Sequence, residues 1–582
     1  MLQRRIFGSV LAFLLGVGCG PADVATPGVR TGASAQPLAG SPSVRGCRPS
    51  AGATAAPTDV AIACDLLLVG SGVDMTTLPG NVVLTRKADG VPMAGFPGTS
   101  GGRDSITFTP DRDLAPSTDY EFTVSSGVKD EAGNAFTAFR LEFRTGTQPS
   151  IPLSRYPYSK TLFAQQGEVC MSLTLGPDNR LYCSTMDGKV HRWSLEAAGT
   201  PRSCEAVAGS RETYANPAWA GRAISGMVFR PLPSGTMYRE LWLSHNAPVS
   251  DDALDFTGRI SRLTWPASIP WTVTSESYVQ ELPRSKRDHL SNSLAFGPDG
   301  ALYLSQGSNT AMGAPQLDGW GNRPERQLSA AILRIDITRQ DGPFLVKTQD
   351  AGGSYDPFAA GAPVTLWATG VRNAYDLVWH SNGQLYAPTN GSAAGGDTPG
   401  GGTGNCSSAP RIDGGPTQPD FLFRVVKGGY YGHPNPVRNE CILNGGNPDS
   451  NVNPAEVVGD GVYAGYPVGT QPDPGYRGFI FNFGKNVSPN GAVEYLSGAH
   501  SGGLRNKLLV VRWSAGDDVL ILPAPTTGQV SSSEVFRLQT TRFVNPIDIT
   551  QSTSTGCIWV SEMIPTPEGG YTGRLQVLKP VQ

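Results

Sequence analysis

The sequence predicts an all-β chain whose larger, carboxy-terminal part is a six-bladed propeller, and three observations carry that prediction. First, a hairpin pattern recurs: Leu294, Phe296, Leu302 and Leu304 alternate with small or polar residues about the turn Pro298-Asp299-Gly300, and Leu173 to Tyr182 and Leu377 to Tyr386 repeat it. Met227 to Ser244 and Ile547 to Glu562 repeat it with altered turns, and Leu508 to Leu522 is a weaker sixth unit. Second, a short strand signature follows most units, at Gly188 to Trp193, Gly258 to Leu263, Ala331 to Ile335, Phe421 to Val425 and Gly573 to Leu578. Third, 72 glycines and 48 prolines in 582 residues suit turns rather than helices. A unit this small cannot bury its own apolar face, so repetition implies sheets packed radially about an axis. Uneven spacing places large insertions on the loops, where polar groups can be presented without disturbing the core.

The remaining elements follow in chain order. Arg4 and Arg5 precede an apolar run from Ile6 to Val17, too short for a typical membrane span, which reads as an export signal. Leu15-Gly16-Val17-Gly18-Cys19 resembles a bacterial lipoprotein cleavage site, so residues 1–19 form the signal and the Cys19 sulfur is the lipid acceptor, with Gly16 where leucine is usual. Otherwise the chain is secreted. Residues 20–44, rich in Ala, Gly, Pro, Ser and Thr, have little to bury and read as a flexible tether.

Within 45–148, Ser105 to Val124 gives two alternating strands about a polar turn, followed by Lys129-Asp-Glu-Ala-Gly-Asn134 and Leu141 to Thr145. This resembles the SbsA-type bacterial immunoglobulin-like (Ig-like) domain, which implies a β-sandwich ahead of the propeller, read here as a spacer.

Composition excludes some functions. A formal charge of −3 with 16% charged residues gives no basic surface for nucleic acid. Discounting Cys19, eight of the nine cysteines remain, an even number that suits disulfides in an exported chain. Cys47 with Cys64 and Cys406 with Cys441 are the favoured pairs; Cys170, Cys183, Cys204 and Cys557 are left open.

Three motifs in residues 151–582 carry the chemistry: Asp288-His289 followed by Leu294 to Gly300; Gly370-Val-Arg-Asn-Ala-Tyr-Asp-Leu-Val378; and Asp420 to Pro434, containing Gly-Gly-Tyr-Tyr-Gly-His-Pro. They resemble those of the soluble quinoprotein glucose/sorbosone dehydrogenase family. The resemblance implies a propeller using pyrroloquinoline quinone (PQQ) and calcium to oxidise a sugar, alcohol or aldehyde, with electrons passing to an unknown acceptor. By that likeness His289 is the general base and Asp288 orients it. Arg372 and Asn373 face the cofactor with Arg512 and Arg542, and Asp420 with the carbonyls of Gly391 and Tyr431 holds calcium. An imidazole suits base work near neutrality, a guanidinium and an amide suit quinone oxygens, and calcium accepts backbone carbonyls. His191, His245, His380, His433 and His500 read as structural, and the glycine-rich stretch from Gly395 to Asn405 as a mobile loop.

The chain departs from the family at three places. Ser308 replaces an acidic residue, Ser514 a basic one and Val544 an arginine, so a tricarboxylate cofactor would lose charge-assisted contacts unless Arg512 or Lys485 compensates. The second expectation is therefore a cell-surface carbohydrate- or protein-binding propeller that has lost the quinone. A calcium-dependent lactonase ranks third, because no ring of axial carboxylates and asparagines is evident.

Overall fold

The computed structural model describes residues 40–581, apart from 166, 198, 201–202, 249–252, 268–270, 317–319, 393–395, 447–464 and 468. The signal, Cys19 and most of the tether lie outside the described residues. Among these there are strands and short 3-10 turns and no α-helix.

Two four-stranded antiparallel sheets form the amino-terminal sandwich. Its first strand, Ser43–Arg48, begins inside the segment expected to be tether and is joined to Ile62–Leu67 by the disulfide Cys47–Cys64. Alternation along Asp119–Val124 sends Tyr120, Phe122 and Val124 into a core with Ile62, Leu84, Ile106 and Phe136, while Asp119 stays exposed. The Asp130 carboxylate closes the Lys129–Asn134 turn by accepting from the Asn134 amide N–H at 2.7 Å, and Gly133 takes the left-handed conformation, φ +86°, that the turn requires.

Six blades follow, the last two joined into one eight-stranded sheet, and the first strands of successive blades neighbour one another around an axis. They are Cys170–Leu175, Ala223–Phe229, Ser291–Phe296, Val378–Trp379, Pro489–Tyr495 and Pro546–Gln551. Ring closure uses Leu153–Gln165, the strand that enters the propeller. Its start pairs in parallel with Phe536–Gln539 of blade five, and its remainder pairs antiparallel with Tyr571–Pro580 of blade six. The disulfide Cys204–Cys557 ties blade one to blade six, and Cys170–Cys183 staples blade one internally. Apolar clusters between blades, such as Trp242, Ile260, Leu304 and Leu333, bury the faces that no single blade could cover.

The sandwich is docked on the propeller. Asp113 pairs with Arg537 and Arg542, Glu131 with Arg287, and Thr417 Oγ1 donates to Asp65. Thr109 Oγ1 donates to the Ser514 carbonyl at 3.1 Å. A spacer that swings on a tether would make none of these contacts.

Candidate functional site

The loop into blade three presents the catalytic candidate. Buried Arg284 donates to the carbonyls of Ala247 (2.7 Å), Ser285 (3.0 Å) and Arg287, and Ser285 Oγ accepts from the backbone N–H of His289 at 2.9 Å. These bonds hold a tight turn at the sheet's lip. The following strand crosses back at Gly307, where a Cβ would lie 2.8 Å from the His289 Cβ and 2.9 Å from Asn373 Oδ1, so only glycine lets the elements approach.

His289 has a defined tautomer. Its Nδ1 lies 2.9 Å from Ser308 Oγ and 3.2 Å from the Ser308 carbonyl. Ser308 Oγ spends its own hydrogen on the Thr310 carbonyl at 2.9 Å, so it accepts from His289, and Nδ1 carries the proton. Nε2 then holds the lone pair and has no partner among the described residues. Burial, with Arg372 nearby, keeps the imidazole well below its usual pKa and hence neutral. The ring packs edge-on to Trp320 at 4.9 Å. Asp288 does not orient it: His289 Nδ1 is turned to Ser308, which fills the role expected of a carboxylate.

Behind this pair lies a cluster that sequence reading missed. Glu325 accepts from the backbone N–H groups of Asn309 (3.1 Å) and Thr310 (2.9 Å), from Thr310 Oγ1 (2.5 Å) and from His433 Nε2 (3.0 Å). It thereby fixes the loop that carries Ser308. Its spacing from its partners is irregular, so no motif announces it.

His289, Asp288, Arg372, Asn373, Gly391 and Asp420 line one cavity of about 530 Å³. Asn292, Asn390, Ser392, Trp320, Trp513, Ser514 and Tyr571 share its wall, as does the loop Thr99 to Ser105 of the sandwich. Arg372 is a strut across three loops: Nε donates to the Ala311 carbonyl (2.9 Å), and Nη1 donates to those of Gly391 (2.8 Å) and Asn390 (3.3 Å). Asn373 Oδ1 accepts from Asn292 Nδ2 at 2.8 Å.

Three expected site residues lie elsewhere. Arg512 is buried in a bidentate pair with Asp518 (2.8 and 2.7 Å), its partner directly across the hairpin. Arg542 reaches Asp113 and the Asp59 carbonyl in the sandwich. Tyr431, whose carbonyl was the expected ligand, is off this cavity and lines a small separate pocket with Gly391 and Arg372; its ring packs against Phe423 and its hydroxyl donates to the Arg424 carbonyl at 2.7 Å. Val544 is also off the cavity, where its N–H donates to Glu562. The stretch expected to be mobile is built in from Gly396 onward: Asp397 accepts from the Gly414 N–H and pairs with Arg411, and Thr398 is fully buried.

The donor sets test the expected cofactors. For calcium, Asp420 already accepts from the backbone N–H groups of Gly391, Val487 and Ser488 (2.7, 2.7 and 2.8 Å), and the Gly391 carbonyl is occupied by Arg372. Burial outweighs those three bonds and pushes Asp420 up to about 6, and no group of three or more His, Cys, Asp or Glu among the described residues is arranged to hold a metal ion. For a tricarboxylate quinone, the wall offers three guanidinium groups, of which Arg103 and Arg287 both pair with Glu131. Arg372 is committed to carbonyls and faces Asp104 and Asp288. These residues do not fit a trianion.

Against known proteins, the sandwich falls in a defined class: residues 39–145 match the profile of the bacterial Ig-like domain. That domain, together with four disulfides of which one lies in the sandwich and three in the propeller, marks a protein of the extracellular or surface kind. No curated protein matches the chain.

Solved structures similar to the propeller include the PQQ-bound aldose sugar dehydrogenase of Streptomyces coelicolor. It is 15% identical, with a TM-score of 0.43, covering 74% of this chain and 100% of that one. A putative oxidoreductase (glucose dehydrogenase) of Thermus thermophilus is 17% identical, TM-score 0.43, covering 72% and 99%. The holo PQQ domain of Coprinopsis cinerea pyranose dehydrogenase is 14% identical, TM-score 0.44, covering 74% and 98%.

Proposed function

We propose that this chain is an exported binding protein that encloses a small polyhydroxylated ligand in the propeller cavity beneath its Ig-like module. One observation carries the reading: a cavity of about 530 Å³ is walled by amides (Asn292, Asn373, Asn390, Asn490), indoles (Trp320, Trp513) and carboxylates, while its guanidinium groups are already engaged. Amides and carboxylates match hydroxyl groups, and indole faces match the C–H faces of a sugar ring. Arg4 to Cys19 would export the chain and anchor it by a lipid, leaving the cavity outside the cell.

A second reading, oxidation of a sugar hydroxyl, is favoured by His289. Its Nδ1 proton is spent on Ser308, so the Nε2 lone pair is available to accept a hydroxyl proton at the cavity wall. Calorimetric titration of the exported chain with a monosaccharide panel, beside titration with PQQ and calcium followed by dye reduction, separates the two. Sugar binding without quinone binding is expected; a quinone complex with turnover would transfer the conclusion to the second reading.

A further inference from the structure

The sandwich contributes chemistry to the cavity as well as a roof. Thr99 to Ser105 enters the propeller mouth so closely that a Cβ on Gly101 would lie 1.8 Å from Asp288 Oδ2. The loop is held by its own bonds: Ser100 Oγ donates to Asp104 Oδ1 and accepts the Asp104 N–H at 3.0 Å, and Val73 N–H donates to the Arg103 carbonyl at 2.9 Å. Glu131 latches it to blade three by pairing with both Arg103 and Arg287. Asp104 and Asp288 thus share one wall from two different modules.

The groups left over on that wall are mostly acceptors. Among the described residues neither Asp104 nor Asp288 has a cationic partner in hydrogen-bond contact: Arg372 faces both and Arg284 and Arg287 also face Asp288, but Arg372 and Arg284 donate to backbone carbonyls and Arg287 pairs with Glu131. Asn390 Oδ1 is buried with no hydrogen-bond partner among the described residues. Ser392 is fully buried, and its Oγ lacks one in the same way. His289 Nε2 adds a further lone pair. A ligand rich in donors and carrying positive charge would satisfy the two carboxylates and His289 Nε2 together, whereas Asn390 Oδ1 and Ser392 Oγ are sealed from the cavity's interior.

We propose that the cavity takes a small protonated amine bearing hydroxyl groups, of the amino-sugar class, and that Asp104 of the Ig-like module contacts it directly. This rests on the cavity being a polyol site and adds the charge of the ligand and the part played by the sandwich. The Ig-like module is then half of the binding site, and residues of both modules set its specificity.

The test is calorimetry of the full exported chain at pH 7 with glucose, glucosamine and N-acetylglucosamine. One charge-assisted bond predicts glucosamine binding about tenfold tighter than glucose, with N-acetylglucosamine, which lacks the charge, showing no such advantage. Asp104→Asn should bring glucosamine to within about twofold of glucose, and Asp288→Asn provides a second variant should the first melt early. Equal binding of glucose and glucosamine by the unaltered chain overturns the amine, and an undiminished preference in both variants overturns the carboxylate contact. If none of the sugars binds, the polyol reading fails and this inference with it; glucose binding without an amine preference sinks the inference alone.

Discussion

Two sectors of the propeller rim face the same Ig-like module and use charge in opposite ways. Over blades five and six the charges are paired within the protein: Arg512 with Asp518, Arg537 and Arg542 with Asp113, and Arg574 with Glu562. Over blades three and four, Arg372 spends itself on carbonyls, while Asp104, Asp288 and His289 Nε2 face a cavity. The first sector holds the module down. The second retains unspent hydrogen-bonding capacity, which is what a ligand requires.

The sharpest way to break this comparison is to unpair the first sector. Asp518→Ala strands Arg512 in the interior and should cost about 3–5 kcal/mol, whereas replacing both by apolar residues of similar volume should restore most of it. Denaturant unfolding reads both, and a small loss in the single variant would mean that the pair is not buried as described.

Next in size is the response to pH. Burial raises Asp420 to about 6 and Asp517 to about 8. In the unfolded chain both titrate near about 3.9, so between about pH 4 and 8 the folded state holds protons the unfolded state has lost. Their contribution is complete below about pH 4 and is lost as pH rises through about 6 and then about 8. Glu168, held down to about 2 by Lys189 and Arg211 against the effect of its burial, works oppositely but only below about pH 4.5. Buried neutral histidines such as His191, held down to about 4, and His289 act the other way as pH falls below about 6.5, so the readout is a difference: the melting midpoint of Asp517→Asn should gain on that of the unaltered chain between about pH 5.5 and about pH 8.5, and an unchanged gap contradicts the burial of Asp517.

Ser308→Ala removes a buried hydroxyl that serves both His289 and the Thr310 carbonyl and should cost about 1–3 kcal/mol. Nitrogen NMR of His289 should still show the Nδ1–H tautomer, now held by the Ser308 carbonyl, with the Nδ1 shift altered by loss of the hydroxyl; an Nε2–H tautomer would contradict the orientation described. A smaller effect is expected from Asp113→Ala. Asp113 is partly exposed, so the loss should be about 1 kcal/mol, although it serves two arginines. The informative readout is local: hydrogen exchange in Thr99 to Ser105 should quicken while the inner blade strands stay protected.

Much of the architecture was legible because it is periodic. Alternation in Leu294 to Leu304 and its copies repeats often enough to count blades, and Asp130 to Asn134 marks a turn by residue type alone. The gathering of Asp288, His289, Arg372, Asn373, Gly391 and Asp420 on one cavity was legible through the motifs. The failures share one cause, that a side chain's partner is chosen by tertiary approach. Arg512 was assigned to a cofactor although Asp518 stands across the same hairpin, a register that the strand pattern contained. Arg542 finds Asp113 429 residues away and Glu325 reaches His433 across 108 as well as the nearer Asn309 and Thr310, and the pairing of Cys204 with Cys557, 353 residues on, was left open between blade-internal and ring-closing choices. The descent of Thr99 to Ser105 into the propeller mouth belongs with these, since its sequence reads as an ordinary turn.

The most direct trial is a crystal structure of the full chain grown with glucosamine, PQQ and calcium present together. The account predicts the amino sugar between Asp104 and Asp288, with a hydroxyl on His289 Nε2 and no quinone in the cavity. A quinone seated against Arg372 and Asn373 with an ion at Asp420 would contradict it.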